Sequence, residues 1–306
     1  MTGNAHDLPA RPGVPPDIER RIRSAGAVLD MPLTRAIYAP LLETQRRDGV
    51  EVHRDLEYGT DGRHRLDVYR PPIATDVPRP VLIFLHGGGF IRGDKSDREN
   101  VGQFFARRGL LVIVPNYRLA PAHPWPAGAE DAAAVCRWAE LHAVAYGGDV
   151  DRMYLAGESA GAAHVAAATL VRRFQPPRGL RLAGVALISG VYNPRLEFLA
   201  RREFGIPTPD PRNDAYYGAN SDRLGDMSTV ELIDAAPLPL LITYAELDLP
   251  QMQVQAGELF ARLVTRHGFS PALCVIRGHN HLTQVYSVNT GDESLTAVLS
   301  DFMHGR

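Results

Sequence analysis

The chain has 306 residues, of which 45% are hydrophobic and 22% charged, and its formal net charge is −2. That length and composition suit a globular protein with a full-sized core, as one large α/β domain or two ordinary ones. The near-neutral charge and the absence of a long basic run exclude a surface built for nucleic acid or anionic membrane. The first thirty residues carry no apolar signal region and no apolar run is long enough to span a membrane, so a cytoplasmic protein without membrane insertion is expected. Cys136 and Cys274 fall in apolar runs with no metal-ligand partners nearby in sequence. Both read as small core hydrophobes with no disulfide.

Met1 to about Pro16 is rich in proline and polar residues, which predicts a mobile start. Pro16 to about Asp48 reads as helical, with Ile18, Ile22, Val28, Leu29, Leu33, Ile37, Leu41 and Leu42 on apolar faces. Pro32 and Pro40 are expected to break it into short pieces. Val50–Gly59 and Arg65–Tyr69 alternate apolar and polar residues around an Asp61-Gly62 turn, as an antiparallel pair at a sheet edge does.

After Pro80 the pattern changes to continuous apolar runs at Val81–Leu85, Leu110–Val114, Met153–Ala156, Val185–Ile188, Leu240–Tyr244 and Leu273–Ile276. Between and after them come helical stretches at about Asp97–Arg108, Ala127–Tyr146, Ala160–Phe174, Met252–His267 and Glu293–Met303. Strands buried on both faces and alternating with helices predict a mostly parallel sheet covered on each side. From Tyr192 to Ala235 the rhythm fails, and Pro207, Pro209 and Pro211 stand close together. That segment reads as an insertion over the carboxyl ends of the strands, where ligand sites of α/β sheets lie. No internal repeat and no linker divides the chain.

Two motifs carry chemistry. Gly157-Glu158-Ser159-Ala160-Gly161 sits between a strand and an alanine-dense helix. Gly-x-Ser-x-Gly in that setting is a sharp turn that lifts a serine hydroxyl above the sheet. A helix N-terminus beneath it favours developing negative charge. His86-Gly87-Gly88-Gly89-Phe90 follows the strand Val81–Leu85. Successive glycines let main-chain N–H groups turn toward a ligand, which is how an oxyanion hole is built from backbone. His86 reads as structural, and so do Glu158, Tyr117 and Arg118, as groups that satisfy loop backbone. Trp125 and Trp138 read as packing residues.

With these motifs the chain resembles the hormone-sensitive-lipase-like (HGGG) esterases of the α/β-hydrolase fold, with affinity to the kynurenine formamidase-type group. The resemblance rests on Leu66–Tyr69, His86–Phe90, Pro115–Pro121, Trp125–Ala132 and Gly157–Gly161 in this order. It implies one hydrolase domain over 1–306 with a helical cap, built from about 16–48 and 192–235. It also implies a triad in the order serine, acid, histidine, in which an imidazole activates the hydroxyl and an acid fixes the imidazole. Ser159 takes the nucleophile's place. Asp248 matches the acid, although Leu249-Pro250-Gln251 replaces the family's more frequent continuation, so Glu246 stays open beside it. Arg277-Gly278-His279-Asn280-His281 offers two histidines. His281 aligns with the base, and His279 reads as a loop residue of the kind usual for surface histidines. Gly88, Gly89 and Ala160 would supply the oxyanion N–H groups.

The implied activity is a serine carboxylesterase acting on short- to medium-chain esters, with no cofactor or metal and a small-molecule ester as its partner. An arylformamidase, amidase or carbohydrate deacetylase would use the same triad, and a non-catalytic receptor would lose the histidine. The resemblance further suggests a homodimer through the edge strand Leu273–Ile276.

Overall fold

The computed structural model describes residues 12–43, 45–72, 77–203 and 211–305. Residues 1–11 of the expected mobile start, and Pro207 and Pro209 of the irregular segment, lie outside the described residues.

Among the described residues the strands form one eight-stranded sheet. In chain order they are β1 (Glu51–Glu57), β2 (Arg65–Arg70), β3 (Arg79–Leu85), β4 (Leu111–Pro115), β5 (Gly148–Glu158), β6 (Gly184–Ile188), β7 (Leu240–Leu247) and β8 (Ala272–Asn280). Their order across the sheet is β1-β2-β4-β3-β5-β6-β7-β8. The first two pairings, β1 with β2 and β2 with β4, are antiparallel, and the remaining pairings are parallel. The mostly parallel sheet expected from the apolar runs is therefore present.

The helices are α1 (Pro16–Ala25), α2 (Met31–Leu42), α3 (Glu99–Arg107), α4 (Ala127–His142), α5 (Ala160–Leu170), α6 (Pro194–Glu203), α7 (Pro211–Tyr217), α8 (Thr229–Leu232), α9 (Pro250–His267), α10 (Thr283–Tyr286) and α11 (Ser294–Met303). Alternation along the inner strands puts Val81, Ile83 and Leu85 on one face, packed with residues of α4, α5 and α9. Leu82 and Phe84 point to the other, against Phe105 of α3 and Leu295 and Leu299 of α11. Covering both faces is what permits near-continuous apolar strands.

Several expectations are corrected. Pro40 does not end its helix, because the carbonyl its missing N–H would have served, Ala36 O, receives Arg21 Nη2 at 2.7 Å. Pro32 lies in the first turn of α2, where no N–H is needed, so it starts the helix rather than breaking it. Residues Leu66–Tyr69 are buried on both faces instead of alternating. Asp67 in that run is fully buried, held by Lys95 Nζ at 2.8 Å and Arg54 Nη1 at 3.1 Å. Helix α5 stops at Leu170, and a 3₁₀ turn carries Arg172–Phe174. Cys136 is buried, but Cys274 is half-buried and Leu273 exposed, since β8 ends the sheet.

Above the carboxyl ends of the strands lie two further apolar clusters. One joins Phe90, Ala160 and Met252 to Tyr216, Tyr217 and Leu224 of the irregular segment. The other joins Ile18, Ile22, Ile37 and Tyr38 of α1 and α2.

Candidate active site

The turn from β5 into α5 is sterically determined. A Cβ on Gly161 would stand 2.5 Å from the carbonyl oxygens of both Leu85 and His86, so only glycine lets the helix start this close to β3. Ser159 between them has φ +51°, a left-handed conformation costly for a non-glycine residue and common where function fixes the backbone. Its N–H donates to Ile188 O at 2.8 Å, which extends the β5–β6 pairing and steadies the turn.

Ser159 Oγ lies 3.0 Å from His281 Nε2. His281 Nδ1 lies 2.8 Å from Asp248 Oδ1. The three residues come from the carboxyl ends of β5, β7 and β8, brought together by the parallel register of those strands. Burial disfavours a charged imidazole at His281, but the Asp248 carboxylate outweighs it, and the pKa is raised above the ordinary histidine value. An imidazole so placed can accept the serine proton and carry positive charge while the hydroxyl oxygen attacks a carbonyl.

Glu246 does not approach His281. Its carboxylate accepts from Gly278 N at 2.8 Å and pairs with Arg23 of α1 at 3.1 Å. The bond from Gly278, followed by Arg23, lowers its pKa. His279 is also away from Ser159, but it is no surface residue. It is fully buried, with Nε2 3.1 Å from Asp292 Oδ2 and Nδ1 3.2 Å from Thr283 Oγ1. Asp292, near the start of α11, draws it inward. Asn280 between the histidines donates from Nδ2 to Gly26 O at 3.1 Å, tying this loop to the end of α1.

Two residues absent from the sequence reading complete the geometry. Ser189, just past β6 with φ +50°, donates to Asp248 Oδ2 at 2.5 Å. Gln284 Nε2 donates to Ser189 Oγ at 2.6 Å and to His281 O at 3.2 Å. Asp248, His281, Gln284 and Ser189 thus form a closed ring of hydrogen bonds. No motif marks Ser189; the signal lay only in its position directly after an apolar strand next to that of Ser159.

The glycine loop faces the same spot. Gly88 and Gly89 have φ +140° and +60°. Among the described residues, the N–H groups of Gly88, Gly89 and Ala160 donate no hydrogen bond to the protein. Gly87 N is different, because it donates to Glu158 Oε1 at 3.0 Å, and the same oxygen pairs with Arg98. His86 is buried, stacks on Tyr117 at 4.3 Å and places Nδ1 2.7 Å from Gly87 O. Burial pushes its pKa down to about 4. Tyr117 donates its hydroxyl to His86 O at 2.8 Å, and Arg118 binds Asp131. Glu158, His86 and Tyr117 shape the loop, as the sequence suggested, whereas Arg118 holds α4 through Asp131 and Ala127 O. Trp125 packs edge-on against Phe174 and Tyr216, and Trp138 lies beside His142 and Tyr146.

A family model described as the alpha/beta hydrolase fold matches residues 82–281. The chain belongs to that family. Among the α/β-hydrolase relatives, a probable isoprenylcysteine alpha-carbonyl methylesterase of Arabidopsis thaliana is 39% identical over 122 residues, 40% of this chain and 25% of that protein. Carboxylesterase NlhH of Mycobacterium tuberculosis is 41% identical over 95 residues, 31% of this chain and 30% of its own length. The chain therefore spans less than a third of either relative's length. A hyperthermophilic esterase from Pyrobaculum calidifontis superposes with a TM-score of 0.72 at 22% identity, covering 96% of this chain and 99% of that one. It shares the fold.

In this α/β-hydrolase chain the serine opens into a crevice under α2 and the irregular segment. Leu29, Met31, Gly87–Gly89, Arg92, Arg212 and Leu282 surround Ser159 and His281 there. The methylene stem of Arg212 lies over Gly89, where a Cβ would come within 2.6 Å of it.

Proposed function

We propose that the protein is a serine carboxylesterase hydrolysing short- to medium-chain carboxylic esters. The observation that carries this is the continuous hydrogen-bonded line Ser159–His281–Asp248, opening on three main-chain N–H groups without partners among the described residues. Ester hydrolase names among the relatives support it.

His281 takes the proton of Ser159 as its oxygen attacks the ester carbonyl. The carbonyl π pair moves onto oxygen, and Gly88, Gly89 and Ala160 donate to that oxyanion. Collapse of the tetrahedral adduct breaks the bond to the alkoxy oxygen, and His281 returns the proton to the departing alcohol. Water repeats the sequence on the acyl-enzyme, releasing the acid and restoring Ser159. Asp248 keeps the Nδ1–H tautomer and stabilises the imidazolium.

Helices α1 and α2 and the segment 192–235 act on this reading as a cap that shapes the acyl and alcohol pockets. The chain would work in the cytoplasm as a homodimer joined through β8, whose Leu273 is 40% exposed. Among the described residues no helix is long and apolar enough to cross a membrane.

A fluorophosphonate probe should label Ser159, and Ser159→Ala should lose both label and turnover of a dissolved aryl acetate. The residual rate should not exceed the roughly 10³–10⁴ over water left by an oxyanion hole and binding alone. A formamide in the same panel tests C–N cleavage. Labelling of a different serine in the intact protein would overturn the assignment.

A further inference from the structure

The crevice at Ser159 has two unequal sides. One is a lobe of about 30 Å³ where Phe90, Val191, Leu249 and Met252 meet the polar side chains of Arg212 and Gln251. The buried Glu197 carboxylate closes it, accepting from Gln255 Nε2 at 2.8 Å and Asn213 Nδ2 at 3.3 Å. A lobe this small admits only a short acyl group, with Glu197 held in place at its end.

The other side is cationic. It runs past Met31 to Arg92 and Arg98, and these same Met31 and Arg98 side chains also line an adjoining cavity of about 250 Å³ edged by Arg35 and Arg47. Arg98 is neutralised by Glu158, and Glu99, which lines the adjoining cavity, is held by Arg54 at 2.6 Å. Asp97 accepts from Asp94 N at 3.0 Å beside Arg98. Arg92, Arg35 and Arg47 have no carboxylate partner among the described residues; Arg35 donates only to the Tyr286 hydroxyl, at 3.0 Å. Guanidinium groups left unpaired along one concave wall focus a positive potential, and their forked donors match carboxylate and phosphate oxygens.

We infer that the substrate's alcohol portion ends in an anionic oxygen group, carboxylate or phosphate, received by Arg92 beside Ser159, with Arg35 and Arg47 accommodating longer alcohols. This rests on the esterase reading and names its substrate class. The acyl group occupies the small lobe, the ester bond lies at Ser159, and the charged end of the alcohol points toward the large cavity.

The test compares three acetate esters of similar length in a pH-stat at low ionic strength: 4-acetoxybutanoate, 3-acetoxypropyl phosphate and the neutral 4-acetoxybutanamide. At least one anionic ester should exceed the amide in kcat/KM by about fivefold to tenfold, a charge-assisted bond discounted for solvent exposure. Which anion leads identifies the group. The ratio should shrink in about 1 M salt. It should fall toward one in Arg92→Gln and below one in Arg92→Glu. Because the ratio is taken within one preparation, any misfolded fraction cancels. An amide hydrolysed as fast as both anions, or a preference untouched by Arg92→Glu, would overturn the inference. So would a larger anionic preference on the acyl side, measured with methyl hydrogen glutarate against its amide. If Ser159 takes the fluorophosphonate while all three acetates are inert, this inference fails and the esterase reading stands. If Ser159 takes no label and no ester is turned over, both fall.

Discussion

Ser189 binds the oxygen of Asp248 that His281 leaves free, and Gln284 closes the ring back to the backbone of His281. Ser189→Ala removes a donor from the carboxylate, leaving more of its charge to act on the imidazole. The expected outcome is a fall in kcat of about ten- to a hundredfold with little change in KM, the size typical of slight misplacement. The acid limb moves as well. His281 must be neutral to act as base, so the rate falls as pH drops through its pKa, which already lies above the ordinary value near about 6.5. With Ser189 gone that limb should shift further upward, and an unmoved limb with full kcat would remove Ser189 from the ring's function. The two histidines of the loop separate in the same assays. His281→Ala should lose about 10⁴–10⁶ in kcat and remain folded. His279→Ala takes the imidazole from beside the buried Asp292, whose other oxygen Ser294 still holds, and should lose stability by about 1–3 kcal/mol while each folded molecule keeps turning over. An active His281→Ala beside a dead but folded His279→Ala reverses the assignment.

At the scale of elements, the turn between β5 and α5 is where local sequence and tertiary packing agree most closely. Gly161→Ala would press a methyl group onto the carbonyls of Leu85 and His86. The backbone cannot yield as a flexible side chain would, so about 1–3 kcal/mol of stability should be lost in urea unfolding. Esterase rate should fall too, since the strand that moves leads directly into the glycine loop. Unchanged stability and rate would show that β3 and α5 are not in close contact. This turn, the strand-helix rhythm and the glycine loop were legible because each is written in consecutive residues with a fixed period or spacing. The ring was not, since Ser189, Asp248, His281 and Gln284 meet only once strand order sets their neighbours. Tolerance of Pro40 was hidden for the same reason, because Arg21 on the previous helix supplies the missing donor. Burial of His279 follows from Asp292, thirteen positions away.

At the scale of the whole molecule, two buried histidines outside the proposed chemistry, His86 and His164, bear on stability. Burial lowers His86 to about 4 and His164 to about 3. The groups facing His86 are Tyr117, Arg98, Arg63 and Glu158, and those facing His164 are Tyr117, Tyr216 and His86. In the unfolded chain both imidazoles take up protons near about pH 6.5, while in the folded protein they stay neutral. The unfolded state therefore binds more protons below that pH. Stability is fully present above it and is lost as pH falls toward about 4 for His86 and about 3 for His164, by at most about 1.4 kcal/mol per unit for each. Urea midpoints should drop between about pH 6.5 and 5, before most carboxylates titrate, and His164→Gln should make the slope shallower. A midpoint constant over that interval would mean the two imidazoles are hydrated in the folded state.

The loop bearing His281 is fastened to the N-terminal helices through Asn280 to Gly26, and through Gly278 and Arg23, which share Glu246. In the intact chain that fastening is intramolecular, with an effective concentration set by the connection between α2 and β1. A protease cut in that connection would leave the contacts of Gly26 and Arg23 with the His281 loop in place and remove the tether. The active arrangement would then form by association of two fragments, so the specific activity of a nicked preparation would fall on dilution, while that of the uncut chain would not.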